Sequence, residues 1–354
     1  MRKSRKCTGV WILSVVGIAV TMGLTQVSLY ISECSAEEKK LTMNINREGT
    51  AGFACGTEIA NVISKSSSLE ISGIPYATPV AGARDAAEGK CDIPYLGAYG
   101  FHQMYNNEGP YEKNPVDKKP YQGFWYLDGD LFFLTKADRD DIKNLYDLRG
   151  KRIFPAKAGG AIYDAFIYVL RSLDIEIGKD VQMGYMDAAS ALKTGMIDAV
   201  GGYVLLSAKL KPGWIQNIDK QIKIKIIEPT PQAVSAIMEK VVGSGLGYEK
   251  WDIPFEETKG QTYFITQWYG WHFARQLPEE VVYEFMKTMT KPECGVQFQK
   301  GHKFLQALTN KEDFIRAQKA GINSIPKIPI HPGAARLYKE IGLWQNNWTI
   351  GKVQ

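Results

Sequence analysis

The residues best placed to do chemistry in this chain are hydrogen-bond donors on tight turns. Thr50, Gly52 and Phe53 share one turn, Thr78 and Pro79 a second, and Lys157, Gly159, Gly160 and Ala161 a third. Tyr99, Gly202 and Tyr203 follow short apolar runs. Glycine lets backbone approach a bound group closely. Thr hydroxyls donate, Lys157 carries positive charge, and the aromatics give apolar faces, with a polar tip on each Tyr. Where such turns open helices, free N–H groups and the positive end of the helix dipole suit an anion. The set therefore reads as a site that holds a carboxylate. Each member also has a plainer reading, as a turn glycine, a helix cap, a core aromatic or a solvated Lys157. Asp187 is most simply a cap; facing a cleft, it would favour a ligand amino group.

Reaction chemistry finds little support. The four histidines, His102, His272, His302 and His331, form no metal-like pair. There is no nucleophile elbow, no zincin motif and no Walker loop. Asp92 and Asp198 fall near strand starts, far from the donor turns, and read as turn residues. Cys55 is the only nucleophile close to those turns. No catalytic residue, metal or cofactor is expected.

The elements that must position the donors occur twice. Gly52 and Gly159 are equivalent, about 107 residues apart, and so are Gly89 and Gly195. In the first copy Leu41, Met43 and Ile45 alternate as a strand. A helix from about Ala54 to Ser64, a strand over 69–76, a helix opened by Thr78-Pro79 and closed by Gly89, and a strand over 91–96 follow. In the second copy the order is a strand over 152–155, a helix over 161–173, a strand over 181–186, a helix from Asp187 to Gly195, and a strand over 197–200. Two β-α-β-α-β units predict an α/β protein of two lobes, each with a mostly parallel sheet. Ligands of such sheets bind beyond the carboxyl ends of the strands, here in the cleft between lobes. A strand over 131–134 is expected to cross between lobes, and one over 222–227 to lead back. Helices over 232–242, 278–290 and 334–341 and an aromatic strand over 263–271 complete the reading.

The bulk numbers agree. A length of 354 residues suits two domains. An apolar fraction of 45% with 23% charged residues is that of a globular protein. A formal charge of +5, part of it in the first six residues, with no basic run among aromatics, argues against nucleic acid. The chain opens with a positive segment, an apolar stretch and small residues around Ser35-Ala36, which read as an export signal over 1–36; an uncleaved anchor is the alternative. Beyond the leader stand Cys55, Cys91 and Cys294. A Cys55–Cys91 disulfide is permitted in an exported protein, although the pattern puts the two at opposite ends of adjacent elements.

In this order the motifs resemble a known family. Gly49-Thr50-Ala51-Gly52, Glu88-Gly89-Lys90-Cys91-Asp92, Asp147-Leu148-Arg149-Gly150-Lys151-Arg152, Ala158-Gly159-Gly160, Lys193-Thr194-Gly195-Met196-Ile197-Asp198-Ala199 and Ile330-His331-Pro332-Gly333 are similar to segments of the TAXI substrate-binding subunits of tripartite ATP-independent periplasmic (TRAP) transporters. The resemblance runs from about Leu41 to Leu343. It implies a fold like type II periplasmic binding proteins, with lobes at 37–130 plus 229–354 and at 131–228. It also implies a monomeric periplasmic receptor that captures a small organic acid and delivers it to an ion-gradient-driven permease without chemistry on the ligand. A ligand sensor for a membrane receptor and an exported enzyme using Cys55 are the other readings. Phe53-Ala54-Cys55, Ala77-Thr78-Pro79-Val80 and Gly201-Gly202-Tyr203-Val204 depart from the family's loops and point to a more apolar or aromatic acid.

Overall fold

The computed structural model describes residues 39–158, 160–255 and 260–353. The expected export signal, Cys7, Cys34 and Gly159 lie outside these residues. No helix among the described residues is long and apolar enough to cross a membrane.

The first repeat runs β1 (Lys39–Asn44), α1 (Ala51–Ser66), β2 (Leu69–Ile74), α2 (Pro79–Ala87), β3 (Tyr95–Gly97) and α3 (Ala98–Asn106). Its helix starts follow from the sequence. Thr50 Oγ1 accepts from the Phe53 amide at 3.2 Å, and Thr78 Oγ1 from the Ala81 amide at 3.3 Å with Pro79 at the first helical position. The β1 strand pairs in parallel with β2 along its length and bridges to Ile93 through Met43.

The second repeat comes after β4 (Tyr121–Lys136). It comprises β5 (Arg152–Phe154), α4 (Ala161–Ser172), β6 (Lys179–Asp180), α5 (Ala188–Thr194) and β7 (Ala199–Leu205). Again the first strand is central, with β6 and β7 in parallel on either side. The strand expected over 181–186 is reduced to β6, and Tyr185–Asp187 is a single 3-10 turn. The Gln182 side chain accounts for this. Its Oε1 accepts from the Ala158 amide at 2.8 Å and its Nε2 donates to the Ala156 carbonyl at 3.3 Å, replacing ladder bonds.

The repeats share an ionic detail. Asp92 Oδ2 accepts from the amide and hydroxyl of Thr42, both at 2.9 Å. Asp198 Oδ2 accepts from the Arg152 amide at 2.9 Å, while Arg139 and Arg152 donate to Oδ1 at 2.9 Å each. Each carboxylate fixes the chain around its repeat's first strand, more than a turn residue need do. Burial opposes ionisation of Asp198, but the hydrogen bonds from Arg152 and Arg139 hold its pKa well below the usual carboxylate range.

Two long strands join the lobes. The β4 strand and β10 (Gln261–Phe273) run antiparallel, in a sheet ordered β3-β10-β4-β7-β5-β6. The return crossing is made by β10. The segment expected to lead back, β8 (Ile224–Ile226), instead pairs with the far end of β4 at Leu134–Lys136. A further strand, β9 (Leu246–Asp252), pairs with the first half of β10.

The first half of β4 is buried on both faces in one core, and alternation along its second half assigns side chains to two others. Phe124 and Trp125 pack with Trp271 and with α8 (Glu279–Met289), α9 (Pro292–Gly301), α10 (Lys311–Ser324) and α11 (Pro332–Glu340) around α1. Leu131 and Phe133 join Phe166, Val169 and Leu170 on one face of the second lobe. Phe132 and Leu134 join Val200, Val204 and Ile215 of α6 (Gly213–Gln221) on the other. Ala233, Ile237 and Val241 of α7 (Pro231–Val241), with Leu246, Tyr248 and Ile265, bury in the same core as Leu131. These residues belong to the segment 229–354 that is expected in the first lobe, and their packing here is with Leu131 and Phe133. The architecture is two-lobed α/β, with parallel runs extended by antiparallel crossing strands. Cys55, Cys91 and Cys294 are buried free thiols.

Candidate functional site

The carboxyl end of β1 leads through Asn46, which has φ 63°, into the Arg47–Thr50 turn and the start of α1. Gly52 lies so close to this turn that a Cβ there would sit 3.0 Å from Asn46 and 3.2 Å from the Tyr95 ring. Tyr95 in turn contacts Trp271 with ring centroids 5.0 Å apart, and stands parallel to Tyr269 at 6.4 Å with 7° between planes. The Tyr95 and Tyr126 hydroxyls share a hydrogen bond of 3.4 Å. From the second lobe, Tyr185 packs on Phe154 at 5.6 Å, on Trp214 at 4.8 Å and on Tyr203 at 6.4 Å. Tyr203 packs against all three cores, which places it at the junction.

Electrostatic neighbours connect the two sides. Burial and the nearby Tyr203 raise the Tyr185 pKa, while the Lys157 backbone amide and the Arg47 charge work the other way. Tyr185 therefore stands between the turn before α1 and the turn before α4. Burial raises the Tyr95 and Tyr269 phenols as well, and each feels Tyr203. All of these phenols stay neutral near pH 7, able to donate or accept a hydrogen bond.

The candidates read from the sequence divide on this geometry. Gly52, Lys157 and Tyr203 come together through Tyr95 and Tyr185. Thr50 is half-buried as the cap of α1, and Phe53 lies partly buried on the first core. Lys157 is exposed; Gly160 is the N-cap of α4 without a side-chain cap, and Ala161 begins that helix. Thr78 and Pro79 open α2. Tyr99 stands apart from Tyr95, packing on Tyr168 of α4 at 5.4 Å in the core of Leu131. Gly202 faces away from Tyr203, since neighbours on a strand point to opposite sides. A Cβ on Gly202 would meet the Phe132 ring at 2.8 Å and Ile215 at 3.2 Å.

The Cys55 thiol lies 3.8 Å from His302 Nδ1, which also accepts from the Phe304 amide. Burial, with a smaller contribution from Glu58, raises its pKa and keeps it protonated. A thiol in that state is a poor nucleophile.

The profile of the NMT1-like family matches residues 47–342, which include both lobes. The chain belongs to the NMT1-like family. Among solved structures, this NMT1-like chain is similar to the periplasmic aliphatic sulphonate binding protein SsuA of Escherichia coli (12% identity over 87% of this chain and 92% of that one, TM-score 0.42). It is also similar to MatC of Rhodopseudomonas palustris with bound malate (12%, 83% and 98%, TM-score 0.47) and to the periplasmic binding protein BugD (14%, 87% and 99%, TM-score 0.45).

Sequence reasoning passed over Tyr95, Tyr126, Tyr185, Tyr269 and Gln267. The alternation of Tyr263, Ile265, Gln267, Tyr269 and Trp271 identified a strand. A single strand carries no signal for which of its residues meets Tyr95 from another strand.

Proposed function

We propose that this NMT1-like protein is a periplasmic solute receptor, which captures a small organic acid anion between its lobes and delivers it to a TRAP permease of the TAXI type. The observation that carries the reading is the tyrosine cluster drawn from both lobes. Tyr95 and Tyr269 come from the side of β3 and β10, and Tyr185 and Tyr203 from the side of β7. A ligand seated there touches both lobes only when they are closed. Its differential affinity then favours closure, and the permease reads the closed shape. The amino ends of α1 and α4, with Thr50, Gly52, Phe53, Lys157, Gly159, Gly160 and Ala161, supply donors for the carboxylate. The resemblance in the turn motifs supports the TRAP partnership, and the leader over 1–36 supports export.

Micromolar capture corresponds to about −8 kcal/mol, within reach of a few carboxylate hydrogen bonds and aromatic packing. Thermal-shift screening of the purified protein against mono- and dicarboxylates and amino acids tests the reading, because a ligand that binds only the native state raises the melting temperature. A dose-dependent rise with at least one acid is expected, and Gly160→Trp should abolish it. A flat response across all acids at millimolar concentration contradicts the reading.

A further inference from the structure

Gln267, near the middle of β10, is wholly buried. Its Oε1 accepts from the Tyr269 hydroxyl at 3.3 Å, but its Nε2 donates to no group. A buried amide donor without a partner carries an uncompensated desolvation cost, which folding alone does not explain. The amide is aimed at Gly97, where a Cβ would lie 2.5 Å from Nε2, so any larger residue there would displace it. Gly97 is the N-cap of the nine-residue α3 and contributes no capping side chain. The first N–H groups of that helix lack intrahelical acceptors. Gly245 packs on that first turn, where its Cβ would lie 2.6 Å from the Tyr99 amide, so Gln267 Nε2 is the donor left in the region beside Gly97.

The surroundings of that region are flat and apolar. The parallel Tyr95 and Tyr269 rings border it, and the Tyr269 ring lies 3.1 Å from the Cβ position of Gly97. Its side chains are phenols and an amide, whereas Arg47 and Lys157 are exposed. A site of this kind satisfies one acceptor group and an aromatic body, and leaves a second buried charge unpaired.

We infer that the ligand is a planar aromatic monocarboxylate, whose carboxylate takes the Gln267 Nε2 donor in addition to those offered by α1 and α4, with its ring against Tyr95 and Tyr269. This inference rests on the solute-receptor reading and names its substrate class. Gln267 is the specificity-determining residue, and Gly97 keeps the space for it.

Isothermal titration of the purified protein with phenylacetate, 2-phenylethanol, L-glutamate and malate tests it. Phenylacetate should bind at least about tenfold more tightly than either glutamate or malate, and 2-phenylethanol, which keeps the ring but lacks the carboxylate, at least about tenfold more weakly than phenylacetate. Gln267→Leu should weaken phenylacetate at least about tenfold at an unchanged melting temperature. Preference for glutamate or malate overturns the aromatic assignment and leaves the receptor reading standing. Equal binding of the alcohol and the acid overturns the carboxylate contact, and that comparison decides the matter in the unsubstituted protein should Gln267→Leu fail to fold. Full affinity in a folded Gln267→Leu overturns the role of Gln267. Failure of these probes and of every acid in the thermal-shift screen removes the receptor reading itself.

Discussion

At the scale of single residues, the neighbouring glycines 201 and 202 show how far spacing can be trusted. Both suggest close backbone approach, and both are crowded, but by the protein's own backbone and core side chains. A Cβ on Gly201 would come within 1.9 Å of the Pro155 carbonyl oxygen, which belongs to backbone and cannot move aside. Gly201→Ala should therefore destabilise the protein by about 3 kcal/mol or more, measured as a lowered urea midpoint. Gly213, at the start of α6, has nothing within 4 Å of its Cβ position. Gly213→Ala should be neutral or stabilising by up to about 1 kcal/mol, since it restricts only the unfolded chain. Similar losses in the two variants would refute this account of packing.

At the scale of elements, caps and locks set where helices and strands begin. His331 caps α11, its Nδ1 accepting from the Gly333 amide at 3.2 Å and its Nε2 donating to the Leu277 carbonyl at 3.1 Å. The bond from Gly333 needs an unprotonated Nδ1, whereas the bond to Leu277 survives protonation and favours it; burial outweighs that bond and lowers the pKa from 6.5 to about 4. As pH falls below 6.5 the unfolded chain takes up the proton first, so the stabilising contribution is full above 6.5 and is lost on the way to about 4. Asn at this position keeps a cap but does not titrate. The advantage of the natural residue over His331→Asn should shrink by up to about 1.4 kcal/mol per pH unit below 6.5, read from denaturant unfolding at several pH values. An advantage independent of pH would contradict the assignment.

The same scale shows what was legible. Thr50, Thr78-Pro79, Gly89 and Gly195 mark element ends by local chemistry, and the strand-helix alternation of both repeats followed from them. Gly195 ends α5 with φ 73°, and Gly89 follows α2 with φ 78°. The fate of 181–186 was not legible, because the Gln182 side chain competes for backbone bonds through a tertiary contact. Nor was the crossing role of β10, since both segments read as strands and neither pattern says which one runs the length of β4. Of the candidate site, the glycine turns were readable from spacing; the tyrosine cluster required the strands to be assembled.

At the scale of the whole molecule, β4 and β10 are the long strands that join the lobes, so the proposed closure would bend them. Gly129 lies on β4 at this crossing, and the pairing of the two strands shifts register between Tyr269 and Gly270 on β10, a point where a strand bends. Nearby, Asp128 accepts from the amide and hydroxyl of Ser207, and Asp130 from the Ala208 amide, Thr266 and Trp251. These bonds hold Leu206, Ser207 and Ala208 at φ of 58°, 54° and 62°. Burial, reinforced by Asp128, pushes the Asp130 pKa up to about 7. A bound acid should stabilise the closed arrangement and reduce the radius of gyration in small-angle scattering, whereas an unchanged radius would mean that the lobes do not move. The most direct test is calorimetric titration of one acid, chosen from the thermal-shift screen, against Tyr95→Ala in one lobe and Tyr185→Ala in the other. Each substitution should weaken binding at least about tenfold; full affinity in either variant would contradict a pocket shared by both lobes.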